Sequence, residues 1–171
     1  YCPEGGFERP VAIKRIHPHL GRDPRFVEGF RNEAQLCARL LHPNIVQVLD
    51  FGKAMGTYFF AMEYVDGANL SQLIARSRKA KIPIPPRLVA QIGVELGEAL
   101  HFAHVVARGP AGERLRIIHR DVNPRNVLLS RVGEVKLADF GIARMLGERG
   151  NHETRHLMGS LAYLAPEQAK S

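Results

Sequence analysis

The pattern of apolar residues changes near residue 66, and this change limits the folds open to the 171-residue chain. Three short apolar runs in the first part predict strands, at residues 11–13, 45–51 and 57–65. Between the first two runs, apolar residues recur at three- and four-residue steps over residues 23–41, which predicts a helix. The second part predicts two helices followed by short strands and loops, with the helices at residues 69–77 and 87–107. This order predicts an α+β fold with two parts, a small sheet lobe over residues 1–65 and a mainly helical lobe over residues 66–171.

Composition excludes several classes of protein. The apolar fraction of 45% and the charged fraction of 24% are typical of a globular domain with a core, and no apolar run is long enough to cross a bilayer. The net charge is +7, but Arg and Lys are scattered and are not interleaved with aromatic residues, so we expect no nucleic-acid partner. Cys2 and Cys37 form no C-x-x-C pair and predict reduced thiols in a cytoplasmic protein, although a longer parent chain could be anchored to a membrane.

Four polar motifs follow one another along the chain, at residues 11–14 (with Glu33 on the predicted helix), 119–126, 139–141 and 165–167. Lys14 on a rigid strand could hold phosphate oxygens, and Glu33 could pair with it from the neighbouring helix. Asn126 and Asp139 offer the oxygen ligands that Mg²⁺ prefers, and Asp121 could accept or orient the proton of a substrate hydroxyl. Each residue also has a plainer interpretation, as a surface ion pair or as a turn residue that caps a backbone amide.

In their order and spacing these motifs resemble the V-A-I-K, H-R-D-x-x-x-x-N, D-F-G and A-P-E signatures of eukaryotic-type protein kinases, and in particular the bacterial serine/threonine kinases. The resemblance covers essentially the whole chain. It implies a two-lobed kinase fold, with a small antiparallel-sheet lobe and a mainly helical lobe, and transfer of the γ-phosphate of ATP, with Mg²⁺, to a protein hydroxyl. Lys14, Asp121 and Asn123 are then the catalytic residues, and Asn126 and Asp139 are the metal ligands.

The resemblance also assigns residues to a nucleotide pocket, in which Lys14 and Glu33 hold the phosphates. The other residues of this pocket are Met62 at the back, the backbone of Glu63 and Val65 toward adenine, and Ala12 and Leu128 on the two faces of the ring. A plain core strand would need the same apolar residues, so the sequence alone does not separate the two interpretations. A stack of side chains that joins the two lobes is expected at Cys37, Val48, His119 and Phe140, which makes His119 a core histidine and not a base.

The chain departs from this resemblance at both ends and inside the catalytic loop. No glycine-rich loop is present, since Gly5 and Gly6 stand too close to Lys14, and the chain stops four residues after Glu167. We therefore expect a truncated, inactive fragment that exposes apolar surface and is marginally stable alone. Asn123 stands where serine/threonine kinases usually have lysine, so it keeps a hydrogen-bond donor for the γ-phosphate but not the charge.

Specificity and regulation are read from five further positions. Pro124 and Ser160 favour serine and threonine over tyrosine as acceptors. Arg125 stands where many kinases directed to basic substrates have glutamate, so a preference for basic substrates is not supported. Arg120 matches the arginine on which a phosphorylated activation segment docks, and Thr154 and Ser160 are the hydroxyls that could carry such a phosphate. Thr154 could equally be a plain polar loop residue.

Two other functions stay open. A pseudokinase-like module would bind nucleotide or a partner without turnover, and Asn123 is its only support within the chain. A small-molecule kinase of the aminoglycoside type shares the H-x-D-x-x-x-x-N loop, but it lacks a segment that ends in Ala-Pro-Glu, which this chain has at residues 165–167. The sequence gives neither the identity of the protein substrate nor the oligomeric state.

Overall fold

A computed structural model describes residues 8–16, 21, 23–140, 163 and 165–166. Its first sheet is antiparallel and contains three strands in the order β1-β3-β2, namely β1 (Val11–Arg15), β2 (Val48–Ala54) and β3 (Thr57–Glu63). The hairpin between β2 and β3 turns at Met55 and Gly56, whose φ angles of 49° and 74° match the turn that the twist of a hairpin prefers. Met62 in the central strand is paired with Ala12 on one side and Val48 on the other.

The strand predicted over residues 45–51 begins later than the sequence indicated, at Val48. Ile45 forms an isolated bridge with Leu137, and the amide of Val46 donates to the carbonyl of Leu137 at 2.9 Å. The apolar run is therefore divided between two partners, and only its second half joins the first sheet. Sequence periodicity does not report this division, because both halves are buried.

Helix α1 (Pro24–Cys37) carries the predicted glutamate, Glu33, on its buried face. Asp23 begins the helix, since its side chain accepts a hydrogen bond from the amide of Arg25 at 2.9 Å. The helix ends four residues before the predicted end at residue 41 and continues as a tighter turn, in which the amide of Leu40 donates to the carbonyl of Cys37. This turn buries Leu40 and leaves Leu41 69% exposed, whereas the predicted helical stripe would have buried Leu41.

A second antiparallel sheet, in the order β4-β5-β6, follows the first sheet in the chain and contains β4 (Gly67–Asn69), β5 (Val127–Ser130) and β6 (Val135–Leu137). Gly67, the first residue of β4, pairs with Ser130. A Cβ atom at Gly67 would overlap the carbonyl of Leu129, so only glycine allows strands β4 and β5 to approach this closely.

Helix α2 (Leu70–Ala80) begins with a capping box, in which Asn69 and Gln72 each accept a backbone hydrogen bond from the other. Helix α3 (Pro86–His101) confirms most of the helix predicted at residues 87–107. The residues that follow α3, Phe102–Val106, form a π-helical turn. A short hairpin with a bridge between Arg108 and Arg114 then leads to the catalytic loop. Among the residues that the structure describes, no helix is long and apolar enough to span a bilayer.

One continuous core connects the two sheets and the helices, with almost completely buried side chains at Leu40, Phe60, Ala99 and Leu137. Asn44 anchors the segment between α1 and β2, because its side-chain amide donates to Glu95 on α3 and to the carbonyl of Val135, both at 2.9 Å. The predicted exposed apolar surface is present on α3, where Val89 and Val94 are more than half exposed. The marginal stability that we expect from it stays a prediction.

Candidate active site

Three charged side chains from distant parts of the chain meet in one cluster. The ammonium of Lys14 on β1 lies 3.0 Å from Oε1 of Glu33 on α1 and 3.0 Å from Oδ1 of Asp139, which follows β6. Phe60, the partner of Lys14 in the sheet register, places its ring centroid 5.3 Å from the same ammonium. The Lys14–Glu33 pair is therefore not the exposed surface pair that the plainer interpretation required, since the glutamate side chain is only 3% exposed.

The electrostatics of this cluster keep Lys14 charged. Burial alone lowers the pKa of Lys14, but the carboxylates of Glu33 and Asp139 raise the pKa by more, so the net value lies well above that of a free lysine. A permanently charged ammonium beside two carboxylates is suited to bind a polyanion that a metal ion also helps to neutralise. The same ammonium would then exchange part of its contact with Asp139 for the anion.

Asp121 and Asn126 are held together across the catalytic loop. The amide nitrogen of Asn126 donates to the carbonyl of Asp121 at 2.8 Å and to its Oδ2 at 3.1 Å. This orientation directs the nitrogen of the Asn126 side chain into the loop and leaves its oxygen as the atom available to a cation. The geometry thus fits a carboxylate that receives a proton beside an amide that binds metal.

Asn123 lies differently from what its position in the sequence suggested. Its side chain is buried, its nitrogen donates to the carbonyl of Asp121 at 3.0 Å, and its oxygen accepts from the amide of Arg125 at 2.9 Å. One N–H of this amide and its oxygen bond the backbone of the loop, and the expected donation to a phosphate stays a prediction. Asn123 therefore braces the loop that carries Asp121.

His119 joins the catalytic loop to the end of β6. Its Nδ1 accepts from the amide of Asp121 at 3.2 Å, and its Nε2 lies 3.0 Å from the carbonyl of Ala138, which fixes Nε2 as the donor. Burial lowers the pKa of His119, although the hydrogen bond to Ala138 and the charges of Asp121 and Asp139 partly oppose this effect. A neutral imidazole that is 1% exposed is structural, as predicted from the sequence.

The predicted stack of side chains is packed in the core. Cys37, Val48 and Phe140 are all buried, and the ring of Phe140 lies 4.5 Å from the ring of His119. Burial, and next the negative charge of Glu33, raises the pKa of the Cys37 thiol to about 12. Cys37 is therefore an inert thiol that fills space beside the charged cluster.

Two residues of the site adopt left-handed backbone conformations. Arg120 has a φ angle of 65° and Asp139 has a φ angle of 57°. Such conformations cost roughly 1–3 kcal/mol for residues with a side chain and persist only where the surroundings impose them. Here they place Asp139 toward Lys14 directly after the strand that ends at Leu137.

The end of β3 is held by a lysine that sequence analysis missed. Lys136 on β6 donates to Oε1 of Glu63 at 3.1 Å and forms an ion pair with its Oε2 at 3.0 Å. The backbone amide of Gln47 donates to the same carboxylate at 2.8 Å, and the amide of Glu63 donates to the carbonyl of Gln47 at 2.9 Å. The sequence shows Lys136 between two apolar residues, Val135 and Leu137, which is typical of a strand. It does not show the partner of Lys136, because Glu63 lies 73 residues away in the chain.

The other predicted pocket residues lie on the same two sheets. Ala12 and Met62 are direct partners in the β1–β3 register, and Leu128 is paired with Lys136 in the second sheet. Val65 is half-buried in the segment between β3 and β4. Gly141, Thr154, Ser160 and Glu167, which the sequence also singled out, lie outside the described residues.

The fold defines the class of protein: a small antiparallel sheet followed by mainly helical structure, as in the protein kinases. The family model of the protein kinase domain matches residues 2–171, and the chain belongs to this family. The crystal structure of the PknI kinase domain of Mycobacterium tuberculosis is similar, with a TM-score of 0.62 and 36% sequence identity, and the match covers 82% of this chain and 52% of that one.

Three similar curated proteins, all from bacteria, are described next. The tyrosine-protein kinase MasK of Myxococcus xanthus is 42% identical over 165 residues, which cover 96% of this chain and 25% of the relative. The serine/threonine-protein kinase PknB of Mycolicibacterium smegmatis is 40% identical over 168 residues, with 95% and 25% covered. PrkC of Bacillus subtilis, also a serine/threonine-protein kinase, is 36% identical over 163 residues, with 95% and 23% covered. The chain therefore spans about a quarter of the length of these relatives.

Proposed function

We propose that this chain is the ATP- and magnesium-binding part of a serine/threonine protein kinase, and that the whole protein transfers the γ-phosphate of ATP to hydroxyls of a protein substrate. The observation that carries the proposal is the contact of one ammonium, that of Lys14, with Glu33 and Asp139 at 3.0 Å each. These residues come from a strand, a helix and a loop, and Lys14 lies 19 positions from Glu33 and 125 positions from Asp139 in the chain. An ordinary surface pair does not need such an arrangement, whereas phosphoryl transfer does.

Each side chain of the site has a proposed task. Lys14 holds the α- and β-phosphates, and Glu33 holds Lys14 in place, so the pair reports whether helix α1 is docked. Asp121 accepts, or at least orients, the proton of the acceptor hydroxyl. Asn123 keeps Asp121 in position through the backbone of the loop.

The donor set fits Mg²⁺, which supplies charge neutralisation of the phosphates when it is bound. Asp139 provides a carboxylate that is half exposed, and Asn126 provides an amide oxygen. Mg²⁺ in proteins is usually bound by one or two carboxylates together with substrate phosphates and waters, and not by a cage of protein ligands. Asn126 and Asp139 are the residues that we propose as its ligands.

Adenine would lie between the two sheets. The carbonyl of Glu63 and the backbone of Val65 would bond the base, Met62 would close the back of the pocket, and Ala12 and Leu128 would contact the faces of the ring. In support, Ala12 and Met62 are direct partners in the first sheet, and Leu128 lies in the second sheet. We also retain the division of the chain into a partial N-terminal lobe, residues 1–65, and a partial C-terminal lobe, residues 66–171.

Serine and threonine are the proposed acceptors, although the names of the relatives differ, since MasK is named a tyrosine kinase and PknB and PrkC are named serine/threonine kinases. Pro124 and Ser160 are the residues in favour. Pro124 lies in the catalytic loop and contacts α2, because its carbonyl accepts from the amide of Ser71 at 2.9 Å. Analysis of the phosphorylated amino acid decides between the two classes.

Regulation is proposed at the activation segment. Arg120 would bind a phosphate on that segment, with Thr154 as the first candidate and Ser160 as the second. Substitution Thr154→Ala in the full-length protein should lower activity, and Thr154→Ser should restore it. Unchanged activity of Thr154→Ala would remove Thr154 from the proposal. The proposed location is the cytoplasm, on the grounds given by the cysteines of the sequence.

A pseudokinase-like module is the second candidate, because Asn123 supplies no charge to the γ-phosphate and has both side-chain atoms engaged in the loop. Radiolabelled phosphate transfer from ATP with Mg²⁺, by the full-length protein beside an Asp121→Asn control, separates the two. Label on serine or threonine that disappears in the control supports the kinase. Binding of ATP without any transfer supports the pseudokinase instead.

A further inference from the structure

The catalytic loop carries an excess of positive charge that the proposed chemistry does not use. Four arginines lie between residues 114 and 126, at positions 114, 116, 120 and 125, and Asp121 is the only acidic residue in that interval. Asp121 already accepts a hydrogen bond from Asn126. The chain around Asp121 therefore carries a net positive charge, which favours ligands with negative charge.

Arg125 is the arginine of this group that is best placed to meet a substrate. It lies four positions after Asp121 and is exposed. Its backbone is fixed, because its amide donates to the side-chain oxygen of Asn123 at 2.9 Å. Among the residues that the structure describes, no carboxylate forms an ion pair with its guanidinium.

The neighbouring helix does not neutralise this charge. The amide of Ser71, in the first turn of α2, donates to the carbonyl of Pro124, so the positive end of this helix lies beside the loop. Helix α2 has no acidic residue in its sequence, and its N-cap, Asn69, is neutral. The wall next to the catalytic aspartate thus offers cationic groups and no carboxylate within α2.

We propose that Arg125 selects protein substrates that carry an acidic side chain beside the acceptor hydroxyl. This inference rests on the proposed kinase function and adds the substrate class. A guanidinium on a fixed backbone binds a carboxylate through two parallel hydrogen bonds, whereas a lysine of the substrate would be repelled. Because the pair is exposed, we expect a preference of about fivefold in kcat/KM, which salt weakens.

The test uses three peptides with one serine acceptor and flanking Glu, Gln or Lys, phosphorylated by the full-length protein. The Glu peptide should be preferred over the Lys peptide by about fivefold, and Arg125→Glu should reverse the order. Arg125→Gln removes the charge without adding one, and we expect it to abolish the preference. This variant provides the test if Arg125→Glu does not fold. Arg87→Glu is the matched control, since it makes the same charge change at an exposed helix start, where an acidic residue is favourable.

Outcomes for the two proposals are distinguishable. Phosphorylation of the Gln peptide reports the kinase function itself, whatever the preference. Equal kcat/KM for the Glu and Lys peptides, or a preference that Arg125→Glu and Arg125→Gln leave unchanged, overturns the role of Arg125. If no peptide is phosphorylated, fluorescence anisotropy of the labelled Glu peptide decides, and equal affinity of the parent and Arg125→Gln overturns the inference.

Discussion

Lys136 and Glu63 form an ion pair that connects the two sheets, with 3.0 Å between Nζ and Oε2. Glu63 is the last residue of strand β3, and Lys136 lies three residues before Asp139. The Lys136 side chain is 12% exposed and the Glu63 side chain 27%. The pair therefore ties the end of β3, which we propose binds adenine, to the strand that leads to Asp139, which we propose binds Mg²⁺.

Replacing Lys136 by methionine should weaken both stability and nucleotide binding. The partly buried carboxylate of Glu63 would lose its charged partner, which we expect to cost about 1 kcal/mol in the free energy of unfolding. The KM for ATP should rise more than kcat falls, because Asp121 is untouched. Denaturant unfolding and steady-state kinetics measure the two effects. Lys136→Arg is the control that keeps the charge, and a methionine variant with unchanged stability and KM would contradict the role of the pair.

Comparing the Lys14→Met variant with the Lys14→Met/Glu33→Gln double variant should separate the effect of Lys14 on stability from its effect on phosphate transfer. The single variant leaves a buried carboxylate without its ammonium, and we expect a loss of about 2 kcal/mol, since a third of the Lys14 side chain is exposed. The double variant should recover stability but not phosphate transfer, which falls at least about 100-fold in both. Recovery of activity together with stability would show that Lys14 is only structural.

The raised pKa of Lys14 also sets a pH dependence. A folded-state pKa above the ordinary value of 10.5 means that the contribution to stability is complete below pH 10.5 and is lost as the pH rises through the folded value. Unfolding free energies between pH 7 and strongly alkaline pH should therefore decline in the parent more steeply than in the Lys14→Met/Glu33→Gln variant. Parallel curves would argue against the ion pair.

Asn123 should control kcat through the position of Asp121. Asn123→Ala removes two hydrogen bonds inside the loop, at about 1 kcal/mol each, and we expect a lower kcat with little change in the KM for ATP. Asn123→Asp keeps the acceptor for the amide of Arg125 but loses the donor to Asp121, so its kcat should be intermediate. An alanine variant with the kcat of the parent would show that the loop does not need this brace.

His119 should make the domain less stable in mild acid. Its lowered folded pKa means that its contribution is present above the ordinary value of 6.5 and is lost as the pH falls toward the folded value. Protonation of Nδ1 would remove the acceptor of the Asp121 amide and loosen the catalytic loop. Unfolding midpoints measured from pH 8 to pH 5 should fall less in His119→Gln than in the parent. An identical decline in the two proteins would assign the effect to other groups.

The sequence by itself determined the family, the order of strands and helices, and the residue types of the site. Lys14, Glu33, Asp121, Asn126 and Asp139 could be picked out because short motifs at fixed spacing carry them. Helix α3 was predictable over most of its length, since its apolar residues repeat along one face. These features depend on local pattern, which a linear chain displays completely.

Tertiary structure decided what depends on pairing between distant segments. It divided residues 45–51 between two sheets, made a strand of Gly67 because only glycine fits beside Leu129, and paired Lys136 with Glu63 across 73 positions. It also directed the side-chain amide of Asn123 toward the backbone of its own loop, where the amide donates to the carbonyl of Asp121; the motif had suggested a donor that faces phosphate. The physical reason is the same in each case: the partner that satisfies a buried polar group or fills a close contact is chosen by three-dimensional proximity, which residue spacing along the chain does not encode.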